Sequence, residues 1–492
     1  MAQLTGSPST IPPPSRVLRA TARGGLLNLA GAAVAGLSGL VITWVVAAGL
    51  GPRAAGQFFT ATTAFLLALA IARLGTPTGL VYWFARLRRE QRQGELRAML
   101  TAGLLPIGAL SLAITVAGLF AANAFGGGAD VVRVLAVFLP AAVLMEALLS
   151  ACRGFDRMRE TVLIDKLGRS GAQVVLLAVV VYIWHSGGSA VTLAWVVPYL
   201  PAALLAGYLL HRRCPPASAG RSWTGYLKPF WTYTAPRALA GVAQLGLQRL
   251  DIVLVAAMLG FAEAAVYTVA TRFVTVGQLV AGAIGTAVQP RLASSMSGGD
   301  HRTSGALYRT TTSWIVATTW PLYLLVALAA PWYLRAFGPE YDTASAVAVV
   351  WVLAAGMLLA SACGVVDSVL VMAGRTSWQL YNVSAAFAVN VVLDLWLIPQ
   401  LGILGAAIGW SVGLAVNNLM PLIQLATVFG LHPLGRATRV AMLVSLLCCG
   451  VIPGLAYFAG DLALAIAIGG GALVHALSAW RVRKVLLTTR DT

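Results

Sequence analysis

The chain has 492 residues, of which 59% are hydrophobic and only 10% charged, and its formal net charge is +18. Globular chains run at about 25% charged residues, so a chain this apolar cannot dress its surface for water and needs a bilayer as its main solvent. The basic excess is dispersed in short stretches between apolar runs and forms no basic domain, which excludes nucleic acid as a partner and reads as a topology signal.

Residues 1–23 include the run Ile11-Pro12-Pro13-Pro14-Ser15 and are expected to form a disordered cytoplasmic tail. The first apolar run that follows is too long for a signal peptide and lacks a small-residue cleavage site, so it should remain as a span. With about 20 apolar residues per crossing, spans fall near 24–50, 54–84, 98–122, 131–152, 168–185, 190–210, 229–257, 264–288, 310–334, 345–371, 380–398, 404–428, 438–458 and 461–480. The second and twelfth follow their predecessors so closely that tight hairpins are required. With the N-terminus in the cytoplasm, the inside segments hold 27 of the 34 basic residues, and only Arg53, Arg133 and Arg335 lie outside. That bias predicts a multi-pass protein of the plasma (inner) membrane with both termini cytoplasmic. The connections are too short to house a soluble catalytic domain. The five cysteines form no CxxC pair and the histidines have no partners at ligand spacing, so neither disulfides, metal nor cofactor is expected.

The chain also repeats itself. Leu50-Gly51-Pro52-Arg53-Ala54-Ala55-Gly56-Gln57-Phe58 after the first span matches Leu259-Gly260-Phe261-Ala262-Glu263-Ala264-Ala265-Val266-Tyr267 after the seventh. A second, weaker match sets Glu146 against Asp367, each seven residues before an Arg-Gly or Gly-Arg pair. Six spans separate the copies, so both halves share one orientation and should frame a central cavity. The expected units are a bundle over 24–210, a linker over 211–228, a second bundle over 229–428, two additional helices over 438–480 and a cytoplasmic tail over 481–492.

These motifs, with Arg249-Leu250-Asp251 leading into the second copy, Phe337-Gly338-Pro339-Glu340-Tyr341 before the tenth span and Asn390-x-x-x-Asp394…Pro399-x-x-Gly402 in the eleventh, resemble bacterial polysaccharide or oligosaccharide flippases of the Wzx type. Multidrug exporters and the lipid II flippase belong to the same superfamily, and the resemblance covers about residues 20–480. It implies an all-α, V-shaped, MATE-like pair of six-helix bundles working by alternating access. It also implies a polyprenyl-diphosphate-linked glycan as cargo, with membrane lipids and the pathway's glycosyltransferases and polymerase as partners.

Ionisable residues inside spans are costly and mark cavities or partners. In the seventh span Arg237, Gln244, Gln248 and Asp251 share one helix face. Arg237, with Arg272 and Arg73, is expected to meet the diphosphate or acidic sugars, since a guanidinium fork binds phosphate oxygens in pairs. Gln244 and Gln248 would line the same surface. The alternative places Arg249 or Arg272 in a buried pair with Asp251. Glu146 and Asp367 are open to a coupling role or to salt bridges with nearby arginines. Asn390 and Asp394 are open to coupling or to hydrogen bonds between helices. Gly31, Ala35 and Gly39 form a small-residue stripe expected to serve close packing. The related drug exporters carry an acidic residue in the first span, so the resemblance disfavours that function here, where residues 24–50 hold no Asp or Glu. A glycan polymerase or ligase is disfavoured because no large outside loop is present, and a lipid II flippase stays open.

Overall fold

The computed structural model describes residues 14–123, 128–155, 158–215 and 222–487, with side chains over 29–478 except that of Pro236. The described chain is helical throughout. Thirteen of its helices are long and apolar enough to cross a bilayer, and the first of them, Leu29–Arg89, holds two spans because the chain turns at Gly51. Fourteen crossings result. We number them α1 (14–50), α2 (52–89), α3 (Gln93–Ala121), α4 (Ala129–Arg153), α5 (Met158–Ile183), α6 (Ser189–His211), α7 (Thr224–Leu259), α8 (Phe261–Ser297), α9 (His301–Leu328), α10 (Ala344–Met372), α11 (Thr376–Leu401), α12 (Ile403–Phe429), α13 (Arg436–Tyr457) and α14 (Asp461–Leu487).

The helix that carries α1 begins at Pro14, inside the stretch expected as a tail. Proline is well placed there because the first turn of a helix has no partner for its N–H. The rest of that expected tail, residues 1–13, lies outside the described residues, as does the side chain of Trp480, read from the sequence as a membrane anchor.

Glycines make the tight hairpins. Gly51 has φ 72° and ψ 168°, and Gly260, its counterpart in the repeat, has φ 102° and ψ 172°. This region of backbone space is open almost only to glycine. The same device joins α5 to α6 at Gly188 (φ 56°) and α11 to α12 at Gly402 (φ 61°), again at matching places in the two halves.

α1–α6 pack together, as do α7–α12, while α13 and α14 lie against α9. His475 on α14 meets the Ala317 carbonyl of α9 at 2.8 Å, which ties the added pair down. The two bundles touch near both ends. At the hairpin end, a Cβ on Gly56 would sit 1.7 Å from the Phe261 carbonyl, and Trp44 donates to the Ala336 carbonyl at 2.8 Å. At the arginine-rich end, the first half of α7 packs on α2 and α3: Tyr233 stacks on Tyr82 with ring centroids 4.1 Å apart, and Trp231 donates to the Ala102 carbonyl. The second half of α7 turns to its own bundle, where Gly246 meets Phe387 of α11 and Leu247 meets Gly413 of α12.

Candidate functional site

Between the contacts at the two ends lies a cavity of about 210 Å³, walled by α1, α2, α5 and α6 on one side and closed by α7 and α8 on the other. Its wall is mixed, with Phe58, Phe59 and Trp195 beside Ser38, Thr43, Thr62 and Gln173. Three guanidinium groups reach it: Arg169 from α5, Arg249 from α7 and Arg272 from α8. No carboxylate lines it. A smaller cavity of about 70 Å³ adjoins it, shares Arg249 and Arg272, and adds Gln248, Asp251, Thr275 and Gln278.

The three arginines are held differently. Arg169 donates to Asp165 at 2.7 Å and to Gln173 at 3.0 Å and lies over the Tyr199 ring at 4.6 Å. Asp165 also takes Lys166 at 3.0 Å, so that carboxylate is shared. Arg272 donates to the Thr268 carbonyl one turn back. Among the described residues, neither Arg249 nor Arg272 has a carboxylate within salt-bridge distance, so the alternative of a direct pair with Asp251 is not what forms. Asp251 instead accepts from the Tyr267 hydroxyl at 2.5 Å and from the Ile252 amide at 2.9 Å. Two cations without direct counter-charges thus face one cavity from the second bundle, an arrangement retained in membranes where an anion is to be met.

The structure divides the polar stripe of α7. Gln248 and Asp251 reach the smaller cavity, while Gln244 and Arg237 line neither. Arg237 is exposed, donates to the Tyr233 carbonyl at 2.7 Å and covers the Tyr233 ring at 3.9 Å. The cause is the passage of α7 from one bundle to the other, which gives its two halves different neighbours. Arg73 lies in the break of α2 and pairs with Glu146 of α4 at 2.7 Å, joining two residues considered separately above. Asp367 makes no ion pair among the described residues.

Asn390 and Asp394 are fully buried on α11, with the Asn390 amide donating to Asp394 at 3.1 Å. The bond expected between helices therefore forms within one, where Gly409 and Gly413 of α12, which carry no side-chain donor, approach the pair closely. A Cβ at Gly409 would lie 2.1 Å from Asp394 Oδ1. The Oδ1 atoms of Asn390 and Asp394 have no hydrogen-bond partner among the described residues.

Two site features escaped sequence reading. The expected fifth span, 168–185, puts Arg169 at its cytoplasmic edge, but α5 starts at Met158, which places Arg169 eleven residues into the helix. Its spacing from Asp165 and Gln173, four residues each way, was the available signal. The small-residue stripe of α1 also differs from expectation. Gly31 does pack closely, on Val162, but Ala35 and Gly39 border the large cavity, and nothing lies within 4 Å of a Cβ built on Gly39. Small residues there leave room for an occupant.

Paired helical bundles around a polar membrane cavity define a transporter fold. The model of the family described as polysaccharide biosynthesis protein matches residues 21–296, more than half of the chain, and the chain belongs to that family. The MatE family model matches residues 236–396. Among solved structures, the lipid II flippase MurJ in an inward closed conformation superimposes with a TM-score of 0.71 at 13% identity, over 96% of this chain and 100% of that one. An inward-facing multidrug resistance MATE family transporter of the MOP superfamily gives 0.67 at 16% identity, over 80% and 94%. A MOP superfamily transporter from Pyrococcus furiosus gives 0.58 at 17% identity, over 84% and 95%. At these identities the likeness establishes the fold. No curated protein matches the chain.

Proposed function

We propose that this protein flips a polyprenyl-diphosphate-linked oligosaccharide from the inner to the outer leaflet of the plasma membrane, by alternating access between its two bundles, with both termini in the cytoplasm. The observation that carries this reading is the convergence of Arg169, Arg249 and Arg272 on a cavity with no lining carboxylate. Guanidinium forks in a region of low dielectric suit a diphosphate, and they disfavour the cationic cargo of a drug exporter. Arg169 belongs to the first bundle and Arg249 and Arg272 to the second, so separation of the bundles pulls the cations apart and weakens their joint hold. The cavity, about 210 Å³, accommodates a diphosphate but not an oligosaccharide, so the bundles must part to admit the glycan.

Of the acids open to a coupling role, Asp394 fits best. It is fully buried with one oxygen unpartnered, so exchange of a proton or a small cation there changes a charge at the centre of the second bundle. Glu146 is already engaged by Arg73.

The test is complementation of a strain lacking its own flippase. Arg249→Ala with Arg272→Ala should lower the surface polysaccharide at least tenfold and leave lipid-linked oligosaccharide in the inner leaflet, with the variant present in the membrane at the wild-type level. Full transport by that double variant overturns the cationic-cavity reading. Glycosyltransferases and a polymerase of the same pathway are the partners this function requires.

A further inference from the structure

A second basic cavity shares none of the residues of the first. It occupies the crevice where the first turns of α9 meet the start of α13, has a volume of about 60 Å³, and is lined by Arg302, Ala306, Arg309 and Thr310 of α9 with residues 435–438 of α13, including Arg436 and Thr438. Three of these residues are arginines and none is acidic. The geometry follows from local chemistry. Positions 302, 306 and 309 recur on one helical face, so both arginines of α9 project toward the same side. Gly435 precedes α13 and has no side chain, which lets the Arg309 stem pass over it: a Cβ there would sit 3.2 Å from Arg309 Cδ. Thr438 is fully buried and donates to the Pro433 carbonyl at 3.0 Å, which fixes the turn into α13. Residues 436–438, which line the crevice, are the first of α13, so their backbone N–H groups have no acceptor within the helix.

Asp300 stands two residues before Arg302. Its carboxylate is already engaged as the cap of α9, accepting from the Thr303 amide at 2.9 Å. No salt bridge forms with Arg302, Arg309 or Arg436 among the described residues. Outward from the crevice the surface becomes apolar along α13, where Val440 (40% exposed), Leu443 (58%) and Leu447 (44%) face away from the protein, with Leu434 (48%) exposed in the turn before it. A compact cationic pocket thus stands at the end of a lipid-facing apolar strip, at the arginine-rich end of the spans.

We infer that this crevice binds the phosphate headgroup of an anionic glycerophospholipid, with the acyl chains lying along α13. The phosphate sits among the three guanidiniums and the first amides of α13; a cavity of this size holds several waters or one phosphate. The strip of exposed leucine and valine favours a lipid over a soluble phosphate, since only a lipid covers both surfaces at once. The site is separate from cargo transport, because its residues lie outside the central cavity.

The experiment uses the full chain, purified in detergent and stripped of lipid, with thermal unfolding followed during titration with phosphatidylglycerol, phosphatidylcholine and inorganic phosphate. Phosphatidylglycerol should raise the melting temperature saturably, phosphatidylcholine and inorganic phosphate should not, and Arg309→Gln with Arg436→Gln should weaken the response at least tenfold. Arg309→Lys with Arg436→Lys should retain most of it, and Arg439→Gln, a nearby arginine outside the crevice, should retain all of it. Arg302→Gln at the exposed rim gives a milder reading should the double variant fail to fold. The inference is overturned if the glutamine variants respond like wild type, if phosphatidylcholine serves equally, or if inorganic phosphate alone reproduces the shift. Arg249→Ala with Arg272→Ala should leave the phosphatidylglycerol response unchanged, which separates this site from the proposed transport function.

Discussion

Asp394 and Gly409 show how a single missing methyl group sets the chemistry of this protein. The carboxylate fits only because α12 offers no Cβ opposite it, and the same close approach shuts out any donor from α12. Gly409→Ala should therefore lower stability by about 1–3 kcal/mol, the usual penalty for overpacking. Asp394→Ala in the same chain should recover part of that loss. Thermal unfolding of the two single variants and the double variant checks this, and strict additivity would show that the two residues do not touch. Residue roles were the least legible part of the sequence. That Arg73, Glu146, Asp251 and Asp394 were charges within apolar runs was plain from the one-dimensional pattern. Which of them pair depends on contacts across helices, and Arg73 with Glu146 is separated by 73 positions in the chain. Asp251 takes a tyrosine instead of an arginine, and no periodicity announces that choice.

At the scale of elements, the sequence says more. Hydropathy locates the spans because a crossing helix must be long and apolar, and the repeat locates the two halves because matching residues recur at one offset. The hairpins at Gly51 and Gly260 then follow from a backbone that a side chain would strain. Gly260→Ala should cost about 1–3 kcal/mol, judged from that region of backbone space. Gly282→Ala, where a Cβ meets open space, should change little. Melting temperatures of the two variants in detergent decide the matter, and equal values would remove the strain argument. Boundaries were less legible than elements. The apolar run of the fifth span begins only at 168, because basic side chains crowd the sequence before it, yet α5 begins ten residues earlier at Met158.

For the whole molecule, the contact between Tyr82 and Tyr233 joins the bundles at the arginine-rich end, and the alternating access proposed above requires it to open. With the five native cysteines replaced, all of them buried and unpaired in the structure, Tyr82→Cys with Tyr233→Cys should form a disulfide on oxidation. Transport should stop and return with reductant. An oxidised, cross-linked protein that still transports would rule out opening at this end. Such long-range closure was invisible in the sequence, since neither tyrosine stands out from the other aromatic residues near span ends.

The path of α7 bears on how chimeras of this family should be built. Gene fusion between relatives is most naturally made at the loop before Thr224, where the chain leaves the first bundle. Up to about Ala238, however, α7 is fitted to α2 and α3 of that bundle, and only from Gly246 onward to α11 and α12. A fusion at the loop would bring a foreign helix end against native partners and forfeit the tyrosine stack. A junction between 238 and 246, inside a continuous helix, keeps both sets of neighbours intact. The place where the two halves can be exchanged is thus not where the chain passes from one span to the next.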